Sequence, residues 1–411
     1  MEREAEGHGG GNVRRPVHPD RDLRVLYALS GASGAAFLPF FALLLRDRGF
    51  APDEIGLILA VSSLAGVVVA PVWSHVADTN LGGVLTLQVS TLATGAATLM
   101  LLFTGSVLWT TLGVVAVVGL VSGPRVAIMD SLALDHLGPR RAGEYGTIRL
   151  WASLGWAVAV LAFGAWFEQA GLGPVVPAYV VGLLAFAAVL TRFPVTRPLE
   201  HEHRRARFGS VGAAFRASPH LLPFLAGVLF VGTATSAAWN FVPLRIASHG
   251  GGPFLVGLSA CLTALVEIPF MRAGSWLGRH IGLRTLYAIG CAVYVAMAIG
   301  WALVANPVVV ALIKVASGVG FSLTYVALVV ITGRLVPANL QNTGQALMQT
   351  TGQGIAPIIG SAVGGFVYAR FGPPTMFLGT GVLTVAGAAI AWRALEGGAF
   401  SSARSGERPA A

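Results

Sequence analysis

The chain has 411 residues, 55% of them hydrophobic and 11% charged, with a mean hydropathy of +0.73. Soluble globular chains carry about 25% charged residues, so the composition excludes an ordinary water-facing surface and points to lipid, where Leu, Val and Ala are acceptable neighbours. A net charge of +9 can mark a nucleic-acid binder, but the basic residues, all Arg except Lys314, lie between apolar runs rather than on one face, and that partner is excluded.

Residues 1–22 are polar and rich in Gly, Arg and His. They are expected to form a disordered cytoplasmic tail, with no cleavable signal before the first apolar run. Runs of spanning length follow at about 23–45, 54–76, 83–103, 107–134, 146–167, 176–194, 219–244, 253–274, 283–303, 306–332, 343–368 and 374–395. Each is expected to be a helix, because only helices or closed barrels satisfy every backbone group in lipid and the short alternating segments of a barrel are absent. The one long connection, about 192–220, holds the charged stretch RPLEHEHRRARF and divides six runs from six. The fold class expected is therefore an all-α membrane protein with twelve transmembrane helices in two pseudo-symmetric six-helix bundles. The bundles cover 23–195 and 219–395, joined by a cytoplasmic linker at 196–218 and followed by a cytoplasmic tail at 396–411.

The halves resemble each other at an offset near 200. Phe37-Leu-Pro39 matches Phe241-Val-Pro243, Ile55-Gly-Leu matches Val256-Gly-Leu, and Gly164 to Gly171 matches Gly365 to Gly372. Their shared order indicates a parallel repeat. With the N-terminus inside, 20 basic residues fall on the cytoplasmic side and 4, Arg46, Arg48, Arg245 and Arg370, on the other. By the positive-inside rule both termini are cytoplasmic, in the plasma membrane.

A charge at the centre of a spanning helix costs roughly 2.5–3.5 kcal/mol on insertion scales, so such residues are functional candidates. Asp130 lies late in the fourth run, about 140° around the helix from Arg125, which can anchor at the interface. Arg149, Ser153 and Trp156 share one stripe of the fifth, where a guanidinium offers donors to an oxygen-rich ligand and an indole can stack on an apolar ring face. The plainer reading is an Asp130–Arg149 structural ion pair beside a packed Trp156. Glu267 sits deep in the eighth run and could load and release a proton, or be held by interhelical hydrogen bonds. Lys314, with Ser317, Phe321 and Tyr325 along its face, could pair with Glu267, counter an anionic substrate or snorkel. Ser236 and Asn240 on the seventh run, and Gln345, Gln349 and Gln353 on the eleventh, either bond between helices or line a solute path. Cys261 and Cys291 fall inside apolar runs and read as packing residues. No phosphate-binding loop, HExxH or clustered Cys/His pattern occurs, so neither an ATP-driven pump nor a metalloenzyme is indicated. No cofactor or metal is expected.

The stretch GEYGTIRLWASLGW (143–156) resembles the fifth-helix signature of the major facilitator superfamily branch that holds the phenylpropionate, nucleoside and lactose permeases. PVWSHVADTNLGG (71–83) is similar to the superfamily's loop between helices two and three, with Asp78 at its acidic position and Thr79 where a basic residue is usual. Its counterpart SWLGRHIGLR (275–284) keeps Arg279, Gly282 and Arg284. The resemblance runs from about Leu23 to Trp392. It implies sugar-binding and stacking roles for Arg149 and Trp156, an acidic partner near Asp130, and a coupling acid at Glu267 in LVEIPF. It implies conformational gating for Asp78 and Arg279. Where these relatives often carry a tenth-helix His, this chain has Ser317 in ASGVGFSL, so Glu267 or Asp130 would have to carry the proton.

The expected function is secondary active transport of a small organic solute by alternating access, as proton-coupled uptake by a monomer. The substrate-binding candidates are Asp130, Arg149, Trp156, Asn240, Lys314 and Gln349, and two cations among them favour a carboxylate or a polyhydroxylated solute. The alternatives are proton-driven efflux of a hydrophobic compound and, more remotely, a non-transporting sensor or scaffold.

Overall fold

A computed structural model describes residues 19–123, 125–141, 144–194 and 209–396. The expected N-terminal tail up to residue 18, most of the linker and the final tail lie outside the described residues. The helices are α1 (Pro19–Asp47), α2 (Pro52–Val76), α3 (Gly82–Leu99), α4 (Leu108–Val121), α5 (Arg125–Arg141), α6 (Tyr145–Ala170), α7 (Val175–Leu190) and α8 (Gly209–Ala217). They continue as α9 (Leu221–Ser248), α10 (Pro253–Ile281), α11 (Leu283–Leu303), α12 (Pro307–Val315), α13 (Ser317–Leu335), α14 (Gln341–Gln349) and α15 (Ala356–Ala394). No strand occurs among the described residues.

Among those residues nine segments are long and apolar enough to cross a bilayer, and α7 is a shorter apolar helix. Two of the nine, Pro52–Phe103 with 52 residues and Ala338–Ala394 with 57, are each too long for one crossing. A straight helix of such length would reach about 80 Å, against a hydrocarbon core of about 30 Å. Each breaks at a glycine with positive φ, Gly82 (φ 74°) and Gly372 (φ 82°), a conformation that only glycine adopts cheaply. Counting both limbs, the helices are consistent with twelve crossings in two sets of six.

Three sequence expectations need correction. Residues 19–22 belong to α1 rather than to a tail, because Asp22 is buried and accepts from Arg192 Nη1 at 3.1 Å. The charged stretch 197–208 lies outside the described residues; the described end of the linker carries α8, whose Ala214 is fully buried and whose Phe215 packs on the core. The fourth crossing is split at Ser122–Gly123 and extends to Arg141. Trp73 Nε1 donates to Leu120 O at 2.9 Å there, satisfying a carbonyl that the break leaves unpaired. The tenth is likewise interrupted at Ala316.

Arg245 and Arg48, at the end of the bundle that carries the α1–α2 turn, have a structural reason for their place. Arg245 is 7% exposed and donates to Trp301 O (3.1 Å), Ala302 O (3.4 Å) and Val304 O (3.2 Å) at the end of α11. Arg48 Nη1 donates to Leu101 O at 2.8 Å where the third crossing ends. Both place a cation on the carbonyl end of a helix, where the macrodipole is negative.

The halves meet along α2–α15, α6–α10 and α1–α9. The first two seams are glycine on glycine. A Cβ on Gly56 would lie 2.8 Å from Gly365 Cα, and one on Gly164 would lie 3.2 Å from Gly257 Cα. Gly257 follows Gly56, and Gly365 follows Gly164, by the same 201 residues, so the repeat makes the two seams equivalents. Both lie toward the end of the bundle that carries the α1–α2 turn. None of the substantial contacts joins α3, α4 or α5 to the second half among the described residues.

Candidate functional site

The charged site of the first half is built on α1, α5 and α6. An apolar cluster of Leu23, Leu26, Ile128, Met129, Ala133 and Ile148 locks these helices together. It sets the rotation of α5 and α6, leaving Asp130 and Arg149 at its edge. Arg149 Nη1 donates to Asp130 Oδ2 at 2.7 Å and to the Tyr145 hydroxyl at 3.0 Å. The Tyr27 hydroxyl donates to Asp130 Oδ1 at 2.7 Å. Both carboxylate oxygens are therefore engaged, while the Asp130 and Arg149 side chains remain 26% and 50% exposed. The rest of the guanidinium fork makes no further hydrogen bond among the described residues. The cluster thus offers free donors with its charge already balanced, a chemistry suited to hydroxyl or carbonyl oxygens.

Trp156 lies two turns along α6, and its indole covers Gly34 of α1: a Cβ there would meet Trp156 Cζ3 at 3.2 Å. The same helices approach most closely at Gly31 and Gly155, where a side chain would overlap the backbone of the opposing helix.

The second-half candidates are not drawn into the charged cluster. Asn240 Nδ2 donates to Ser361 Oγ at 2.8 Å, an α9–α15 bond of the interhelical kind. Glu267 and Lys314 sit on facing helices, a turn apart. Thr263 Oγ1 donates to the Lys314 carbonyl at 3.2 Å, and a Cβ on Gly318 would lie 3.1 Å from Glu267 N. Their side chains form no ion pair with each other, and neither enters one with any described residue. Gln349 is exposed on α14, immediately before the π-helical turn Thr350–Ile355. Asp78, in the π-helical turn Ala77–Leu81, and Arg279, near the end of α10, are exposed and enter no ion pair among the described residues.

Two contributors escaped the sequence reading. Tyr145 precedes Arg149 by one turn, so helical spacing could have found it. Tyr27 is 103 residues from Asp130 and carries no local signal. The second half presents an aromatic face: Trp239 and Phe321 have ring centroids 6.0 Å apart, and Phe321 and Tyr325 stack at 5.3 Å. Tethers also bind the first half at the end where α1 begins. Asp20 accepts from Arg141 Nη2 at 2.7 Å and bonds His136 Nε2 at 2.8 Å, and Arg141 Nη2 also donates to Glu144 Oε2 at 2.8 Å. The Arg141 hydrogen bond holds the Glu144 carboxyl below its usual range.

The chain is similar to a maltose permease of Geobacillus stearothermophilus, 27% identical over 393 residues that cover 93% of this chain and 94% of the permease. Its fold is that of the nucleoside transporter NupG in a point-mutant structure, with a TM-score of 0.79, 16% identity, and coverage of 92% of this chain and 100% of that one. A bacterial homolog of the human lysosomal transporter Spinster shares the fold at a TM-score of 0.66 and 14% identity, covering 92% and 98% of the two chains. The model of the MFS_1 like family matches residues 21–379. The chain belongs to that family and is a multi-pass transporter of the major facilitator superfamily.

Proposed function

We propose that the protein is a secondary active carrier that takes up a small polyhydroxylated solute across the cytoplasmic membrane by alternating access, coupled to protons. The observation that carries the reading is the Asp130–Arg149 pair held by Tyr27 and Tyr145. An arginine already balanced by a carboxylate favours a neutral, oxygen-rich ligand over a free carboxylate, which would compete with Asp130. The likeness to a maltose permease over nearly the whole chain supports the same class. Trp156, two turns along α6 from Arg149, would supply a stacking surface for a sugar ring, and Gln349 and Asn240 would add polar contacts on the opposite side.

With both termini cytoplasmic, the glycine seams close the extracellular end and the site opens inward. Asp78 and Arg279 would then gate the other side, finding partners only when the cytoplasmic ends draw together. Glu267 is assigned the proton. Asp130 already has a cation and a hydroxyl on its two oxygens, whereas Glu267 enters no ion pair among the described residues, so the protonated form costs it least. Lys314 would bias that carboxylate or meet solute oxygens directly.

Reconstituted vesicles screened with labelled maltose, nucleosides and aromatic acids test the reading. Counterflow of a sugar, and its loss by roughly tenfold or more in Arg149→Lys, is the expected result, because an ammonium cannot hold Asp130 and ligand together in one plane. Full transport by Arg149→Lys would remove Arg149 from binding. The aromatic face of Trp239, Phe321 and Tyr325 supports a second reading, efflux of a hydrophobic compound; it predicts that deletion sensitises cells to toxic amphiphiles without loss of growth on any sugar.

A further inference from the structure

The two glycine seams are equivalent by the 201-residue repeat, yet they are closed differently. Each includes the first turn of a helix opened by proline, Pro52 in α2 and Pro253 in α10. Such a turn leaves backbone N–H groups without intrahelical partners. In α2 the acceptor comes from the same helix: Glu54 Oε2 accepts from Ala51 N at 2.9 Å. The position equivalent to Glu54 in α10 is Leu255, which cannot accept. The acceptor for α10 comes instead from the other half of the protein. Glu168, near the end of α6, accepts from Phe254 N through Oε2 at 2.8 Å. Its repeat equivalent on α15 is Ala369, so the partner seam has no such residue.

Room for this bond depends on Gly252. A Cβ there would lie 2.5 Å from the Glu168 carboxyl carbon and would overlap both of its oxygens. Among the described residues this is the one side-chain hydrogen bond recorded between the two halves. The two glycine seams themselves are small-residue van der Waals packing.

We infer that Glu168 is a one-sided latch: a carboxylate of the first half that caps α10 of the second and sets the resting balance of the carrier toward closure at this end. The inference rests on the alternating-access reading. When the halves rock apart here, Phe254 N–H loses its acceptor and the positive end of α10 loses its anion. Glu54 cannot act in this way, because its bond lies within one half and survives the motion.

The test is a pulsed electron-spin distance measurement in reconstituted membranes. Spin labels are placed at exposed positions of opposite halves, Val107 just before α4 and Phe371 beside the Gly372 break of α15, after Cys261→Ala and Cys291→Ala. The expected result is two distance populations, with the ratio of long to short raised about three- to tenfold by Glu168→Ala, the size expected for one exposed charge-assisted bond. Gly252→Ala should shift the ratio in the same direction with Glu168 intact, and Glu54→Ala should leave it unchanged. Two populations with the wild-type ratio in Glu168→Ala would overturn the latch and leave the carrier reading standing. A shift of equal size in Glu54→Ala would also overturn it, because the effect would then be one of local stability. A single population in every variant, with no solute flux, would overturn latch and carrier reading together.

Discussion

Tyr27→Phe isolates a single bond of the candidate site. The substitution removes one oxygen and no carbon. Tyr27 is 2% exposed, so its ring stays where the packing of α1 puts it. What is lost is the 2.7 Å hydrogen bond to Asp130 Oδ1. A hydrogen bond to a charged group contributes about 1.5–3 kcal/mol. Asp130 keeps Arg149, and its side chain is 26% exposed, so water can replace part of the loss and the lower end of the range applies. About 1.4 kcal/mol corresponds to a tenfold change. Initial uptake at subsaturating solute should therefore fall roughly tenfold in Tyr27→Phe. The double-mutant cycle with Asp130→Asn should return a coupling of about 1 kcal/mol, because the amide oxygen still accepts from the hydroxyl but without the charge. Uptake within about twofold of wild type, or losses from the two substitutions that simply add, would refute the claim that Tyr27 positions Asp130.

Arg245→Met should lower the thermal unfolding midpoint of the purified protein in detergent well beyond the effect of Arg48→Met. It removes the donors of three carbonyls at a buried helix end, a loss of about 2–4 kcal/mol; equal midpoints for the two variants would count against the capping role. Glu144, whose carboxyl is held below its usual range by Arg141, contributes its tie above that range and loses it as pH falls through the lowered value. Amide exchange in the first turn of α6, corrected for intrinsic rates, should therefore be flat from about pH 7 to about pH 5 and rise only at more acid values. A midpoint above about pH 5 would contradict the assignment.

The seams of the fold were partly legible. The Ile55-Gly-Leu and Val256-Gly-Leu match already contained the glycines that face Gly365 and Gly164, but sequence could not say that they touch each other's partners across the halves. The breaks in the fourth and tenth crossings were hidden, because a span read by hydropathy is continuous whether or not its backbone is. At the site, Asp130 and Arg149 stood out because charge in lipid is rare, and Tyr145 lay within reach of a helical-spacing argument. Trp156 was marked by the stripe it shares with Arg149, and Asn240 and Lys314 as polar groups on the faces of apolar runs. Trp156 packs on Gly34, Asn240 bonds Ser361, and the backbone carbonyl of Lys314 accepts from Thr263.

Composition, arginine placement and repeat spacing by themselves determined the solvent, the number of crossings expected and the division into halves, since these depend on transfer energies summed over whole segments. The Asp130–Arg149 pair aside, which the sequence already suggested, tertiary structure decided which polar groups meet. Tyr27 reaches Asp130 across 103 residues, and Glu168 reaches Phe254 across 86. Such meetings depend on the rotation of one packed helix against another, which no local pattern encodes.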